Sequence, residues 1–167
     1  MSLKILIAYA TKHGSTHEVA DTIAGELRTR GADVTTLAAS DVPDITAYDG
    51  VVVGGSIYMG RWHAAARRLL ERQSESLASR QLAVFAIGPL TSGPDDLASA
   101  RRQLDHALDK LTAVHPVTVA VFGGVVDPAK LHFPFNHMAA TDARDGDQIR
   151  SWARKVAATF AAAGAAA

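Results

Sequence analysis

Four short, almost unbroken apolar runs set the plan of this chain: residues 4–10, 50–56, 82–87 and 117–122. A strand with one wet face alternates apolar and polar residues, so a run without alternation belongs to a strand covered on both sides. Between the runs the period lengthens to that of a helix. Val19, Ile23 and Leu27 mark a helix that stops at Arg30-Gly31. Residues 63–77 place Leu69, Leu70 and Leu77 inward with Arg67, Arg68 and Arg72 outward. Further helices are predicted over 96–111 and 147–162, and residues 33–37 read as a fifth strand. Buried strands alternating with helices predict an α/β fold, a doubly wound, five-stranded parallel sheet with helices on both faces and right-handed crossovers. With 167 residues, 48% of them hydrophobic and 20% charged, the chain suits one folded domain over residues 1–167 and not a disordered segment.

Seventeen Lys and Arg balance seventeen Asp and Glu. That balance argues against bulk nucleic acid as a partner, which selects a basic footprint. With no cysteine, disulfides, thiolate metal sites, iron–sulfur clusters and cysteine nucleophiles drop out. The first ten residues enter a strand directly, without the basic region, apolar stretch and cleavage site of a signal peptide. No apolar run reaches the about 18 residues of a bilayer span. The expectation is a cytoplasmic protein with no transmembrane segment.

Open parallel sheets bind ligands beyond the carboxyl ends of their strands, so the loops after the strands are the places to look. The first, Thr11-Lys12-His13-Gly14-Ser15-Thr16, combines hydroxyls, a glycine and the start of a helix. Backbone N–H groups and hydroxyls converge there, the helix dipole favours an anion, and glycine permits close approach. It is a phosphate cradle that requires no metal. The same residues also suit an ordinary strand-to-helix turn, with Ser15 and Glu18 at capping-box spacing. Two other phosphate signatures, G-x-x-x-x-G-K-[ST] and G-x-G-x-x-G, are absent. A phosphoacceptor receiver domain needs acids after the first and third strands, where this chain has Ala10-Thr11 and Gly55-Ser56.

The loop resembles the T-x-[ST]-G-x-T phosphate-binding loop of the flavodoxin family, with Thr11, Gly14, Ser15 and Thr16 on the pattern and His13 in place of a small hydroxyl residue. The resemblance implies a flavodoxin-like three-layer fold with strand order 2-1-3-4-5 and noncovalent FMN as cofactor. It puts the phosphate on Thr11, Lys12, His13, Gly14, Ser15 and Thr16. Residues 56–63 (Ser-Ile-Tyr-Met-Gly-Arg-Trp-His) form the loop after the third strand, with two aromatics able to cover a flat, partly apolar ring. Gly55-Ser56-Ile57, then Gly60, an aromatic and His63, are similar to the flavodoxin-type, menaquinone-dependent protoporphyrinogen oxidase group. That likeness implies ring contacts from Ser56, Ile57, Tyr58, Met59, Gly60 and Trp62, and from the second wall at Gly88, Pro89, Leu90, Thr91 and Gly93. It also implies a quinone or a redox protein as electron partner and a porphyrinogen as substrate. The chain departs from that group after the last strand, where residues 125–145 are short and of mixed charge. Leu131, Phe133, Phe135 and Met138 in that stretch read as a plug over the sheet edge.

Catalytic residues are not assigned by the sequence, because a flavin carries its own electron chemistry. Arg61, with Arg67, Arg68 and Arg72, would place positive charge beside the ring loop; the same arginines also suit a solvated helix face that Glu71 and Glu75 partly offset. The seven histidines show no H-E-x-x-H or paired-helix spacing, so no metal site is expected. Ser56 lacks the G-x-S-x-G frame of a hydrolase nucleophile. Two alternatives stand beside an FMN oxidoreductase: a flavodoxin-type electron carrier without its own substrate, and a flavin-free regulatory or binding module.

Overall fold

The computed structural model describes residues 2–11, 14–88, 93–126, 141–142 and 144–166. The apolar runs form the strands they predict: β1 (Lys4–Ala10), β2 (Asp33–Ala38), β3 (Gly50–Tyr58), β5 (Gln81–Ile87) and β6 (Thr118–Phe122). These pair in parallel in the order β2-β1-β3-β5-β6. A short β4 (Arg61–Trp62) joins the edge of β3 antiparallel, so the sheet gains a sixth strand.

Each strand alternates its side chains between two apolar layers, which is why the runs carry no polar face. Ile5, Ile7, Val52, Ala83 and Phe85 meet Val19, Ile23 and Leu27 of α1 (Ser15–Thr29) and Trp152, Val156 and Phe160 of α5 (Gly146–Ala166). Leu6, Ala8, Val51, Val53 and Val84 meet Leu69 and Leu70 of α2 (Ala64–Arg72) and Leu104 of α4 (Pro94–Asp109). Burying each of the Val, Leu, Ile and Phe side chains among them stabilises the fold by about 1.5–3 kcal/mol. On the first layer Phe85, Phe122 and Trp152 pack at centroid separations of 5.8–6.2 Å. The Trp152 indole donates to Thr118 Oγ1 at 3.1 Å, which satisfies two buried polar groups at once.

Three local features differ from the sequence expectation. Residues 57–62 are not an open loop but a hairpin, pairing Ile57 with Trp62 and Tyr58 with Arg61. Its two turn residues, Met59 (φ 52°) and Gly60 (φ 75°), both have positive φ, the geometry that matches the twist of paired strands. The helix expected over 63–77 is broken at Gln73 into α2 and α3 (Ser74–Leu77), with the buried Gln73 amide donating to Pro43 O at 3.4 Å. The N-cap of α1 is Gly14 and not a Ser15–Glu18 box. Two short strands, β7 (Val125–Val126) and β8 (Thr141–Asp142), form a separate antiparallel pair before α5. The plug expected from Leu131, Phe133, Phe135 and Met138 lies outside the described residues.

Candidate functional site

The chain leaves β1 for β2 on one side of the sheet and returns to β3 on the other. In open α/β sheets such a reversal marks the crevice beyond the carboxyl ends of the strands that takes the ligand, here beyond β1 and β3. Its borders are marked by the described residues after β1 (Thr11 and Gly14), by the β3–β4 hairpin, and by Gly88 and Gly93 after β5.

On the first border, Gly14 N–H donates to Thr11 Oγ1 at 2.8 Å, folding the loop back on the strand end. Gly14 has φ 94°, a left-handed conformation that glycine adopts without strain, and it has no side chain with which to cap α1. The first backbone bond of α1 runs from Glu18 N–H to Gly14 O at 3.4 Å, so the amides before it have no acceptor within the helix. α2 and α5 end differently: His63 Nδ1 accepts from Ala65 N–H, and the Asp145 carboxylate accepts from Asp147 and Gln148 N–H. The α1 terminus therefore presents uncapped donors at its positive pole.

Thr16, on the first turn of α1, is fully buried, and its Oγ1 has no hydrogen-bond partner. Ser56, at the carboxyl end of β3, has a buried Oγ in the same condition. They are the two buried side-chain polar atoms without a partner among the described residues. Leaving a hydroxyl in that state costs about 1–3 kcal/mol. Thr16 lies on the helix that follows β1, and Ser56 lies near the end of β3, the strand paired with β1 at the switch point.

The hairpin is anchored at its base. The Trp62 indole donates to Gly55 O at 3.1 Å, and His63 N–H donates to Ser56 O at 2.9 Å. Both carbonyls are thus engaged within the fold, leaving the Ser56 hydroxyl as the uncommitted side-chain group. Trp62 is 1% exposed and its ring packs inward, whereas Tyr58 and Met59 stand at the surface, 36% and 74% exposed. On the third border Gly88 N–H donates to Phe122 O at 2.9 Å, and Gly93 precedes Pro94 at the start of α4. Of the residues the sequence points to, Lys12, His13, Pro89, Leu90 and Thr91 lie outside the described residues.

Sequence inspection missed an ionic tie beside the first border. Arg144 pairs with Asp142 of β8 at 2.7 Å and with Glu18 of α1. The Arg144 guanidinium holds the Asp142 carboxyl below its usual range, and the Asp142 carboxylate in turn raises the Arg144 pKa. Glu18 and Arg144 are separated by 126 positions, and no local pattern links them. His17, also on the first turn of α1, stacks on Tyr9 at 4.5 Å and lies 3.5 Å from Asp21.

A cavity of about 540 Å³ opens at the opposite end of the sheet between Leu3, Asp49, Arg80 and Phe160. Its two charged side chains are already committed. Arg80 donates to the carbonyls of Thr46, Tyr48 and Ser76, and Asp49 accepts from Lys4 N–H. The two buried side-chain groups without a partner among the described residues, Thr16 Oγ1 and Ser56 Oγ, lie away from this cavity. Among the described residues no helix is long and apolar enough to cross a membrane.

Comparison with known proteins bears on the fold and the family. The chain is 32% identical over 95 residues to protoporphyrinogen IX dehydrogenase [quinone] of Escherichia coli (strain K12), an alignment covering 56% of this chain and 52% of that protein. The chain therefore spans about half the length of the curated relatives it matches. Among solved structures it is similar to the Streptococcus pneumoniae TIGR4 flavodoxin (TM-score 0.58, 20% identity, covering 95% of this chain and 98% of that one). It is likewise similar to the Fusobacterium nucleatum flavodoxin bound to flavin mononucleotide (TM-score 0.59, 18% identity, 95% and 99% covered). The family model of the flavodoxin domain matches residues 6–140, and the chain belongs to that family.

Proposed function

We propose that the chain, as one domain over residues 1–167, binds FMN noncovalently at the switch-point crevice and acts as a flavin-dependent oxidoreductase. The observation that carries this reading is the pair of buried, unpartnered hydroxyls, Thr16 Oγ1 on the helix that follows β1 and Ser56 Oγ near the end of β3. The residues fit the group: a phosphate suits the uncapped α1 terminus with Thr11, Ser15 and Thr16, and a flat polar-edged ring suits Ser56, Tyr58 and the Gly88–Gly93 border. Lys12 and His13 complete the phosphate loop, and Pro89, Leu90 and Thr91 the second wall. Bound FMN supplies the electron-accepting chemistry. The chain orients it: α1 fixes the phosphate end, and the anchored hairpin holds Ser56 at the ring end.

Within this class we favour a dehydrogenase of the protoporphyrinogen type, passing electrons to a quinone, over a carrier without its own substrate. Support comes from the E. coli relative and from a neutral chain whose ring loop carries Arg61 and no acidic residue. The test is anaerobic turnover of the FMN-loaded protein with protoporphyrinogen and a menaquinone analogue. Substrate-dependent quinone reduction is expected. FMN retention with no turnover, but with rapid exchange with a flavodoxin reductase, would identify a carrier.

A further inference from the structure

From Gly50 to Leu70 the chain has no Asp or Glu, yet it carries Arg61, Arg67 and Arg68. Overall charge is zero, so this is a local asymmetry and not the reflection of a basic chain. Several other arginines are held in ion pairs, including Arg101 with Asp105, Arg144 with Asp142 and Glu18, and Arg154 with Glu26. Arg67 Nε lies 3.4 Å from Trp62 O. Arg61 is exposed, and among the described residues no carboxylate pairs with it.

Its place is nonetheless defined. Arg61 is the cross-strand partner of Tyr58, so the two share one face of the hairpin, while Ile57 and Trp62 share the other and Trp62 fills the core. The two-residue turn and the Trp62–Gly55 bond fix the hairpin immediately after Ser56, at the border assigned to the flavin ring. α2 also starts there without an acidic residue in its first turn. Asp95 and Asp96, in the first turn of α4, act in the opposite sense, and both are exposed.

We infer that Arg61 sets the redox bias of the site, favouring the two-electron-reduced, anionic cofactor over the neutral oxidised one. The inference rests on the FMN reading above. Reduction adds two electrons and one solvent proton to the ring and leaves one negative charge; with dithionite as reductant, dithionite is oxidised to sulfite. A fixed cation stabilises that charge and does little for the neutral form.

The test measures FMN dissociation constants in the oxidised state and after dithionite reduction, for the wild type, Arg61→Gln and Arg61→Lys. The expected result is a drop of about threefold to tenfold in the oxidised-to-reduced Kd ratio for Arg61→Gln, and recovery to within about twofold for Arg61→Lys. Tenfold corresponds to about 30 mV for a two-electron couple. If Arg61→Gln binds FMN with an unchanged ratio, or weakens both states equally, this inference falls and the FMN reading stands. If the wild type binds no FMN in either state, both fall together.

Discussion

Thr16 joins burial, helix position and ligand chemistry in one side chain. Its hydroxyl is enclosed without a partner, so in the ligand-free protein it is a cost, and with a phosphate in the cradle it becomes a donor. Replacing it with valine, which keeps the branched shape, should leave the ligand-free melting temperature unchanged or higher. A clear loss of stability without ligand would show that the hydroxyl already has a partner and would remove it from the site. Met59 is a residue-scale strain of a different kind. It is the one non-glycine residue with positive φ among those described, and asparagine suits that first turn position better. Met59→Asn should raise stability by up to about 1 kcal/mol in chemical denaturation, and a loss would mean the exposed Met59 side chain makes contacts that outweigh its backbone strain.

At the scale of elements, the close approach of β3 to its neighbours fixes where side chains are allowed. A Cβ on Gly54 would stand 1.9 Å from the Phe85 ring, which is wedged in turn by Phe122 and Trp152. Gly54→Ala should therefore destabilise the protein by about 3 kcal/mol. Gly25, on the exposed side of α1, has nothing within 4 Å, and Gly25→Ala should stabilise by about 0.5–1 kcal/mol through helix propensity. Thermal or urea unfolding of the two variants gives opposite signs if the sheet packs as described, and like signs if it does not. The elements themselves were legible because burial on both faces writes a continuous apolar run, and because Val19, Ile23 and Leu27 repeat at helical spacing. The hairpin was not legible. Met-Gly is a poor turn signal, and its anchors, Trp62 to Gly55 and His63 to Ser56, are contacts across seven residues that leave no periodic trace. The break at Gln73 was hidden for a similar reason, since its partner, Pro43, lies 30 residues away.

For the whole molecule, topology turns scattered residues into one site. Sequence order separates Thr16 from Ser56 by forty positions, and the β2-β1-β3 reversal brings their strand ends side by side. The phosphate loop is legible in the sequence because its parts are contiguous. The paired orphan hydroxyls, the inward turn of Trp62 and the Arg144–Glu18 tie emerge only from the fold, because each depends on which groups other segments satisfy. The most direct measurement is a fluorescence titration of FMN into the ligand-free wild type and into Thr16→Ala, with riboflavin as the phosphate-free control. Saturable, one-to-one quenching is expected for the wild type, with FMN weakened by about 1–3 kcal/mol in Thr16→Ala and riboflavin unaffected by the substitution. Absence of quenching in the wild type, or equal affinity in the two proteins, would contradict a phosphate cradle at the head of α1.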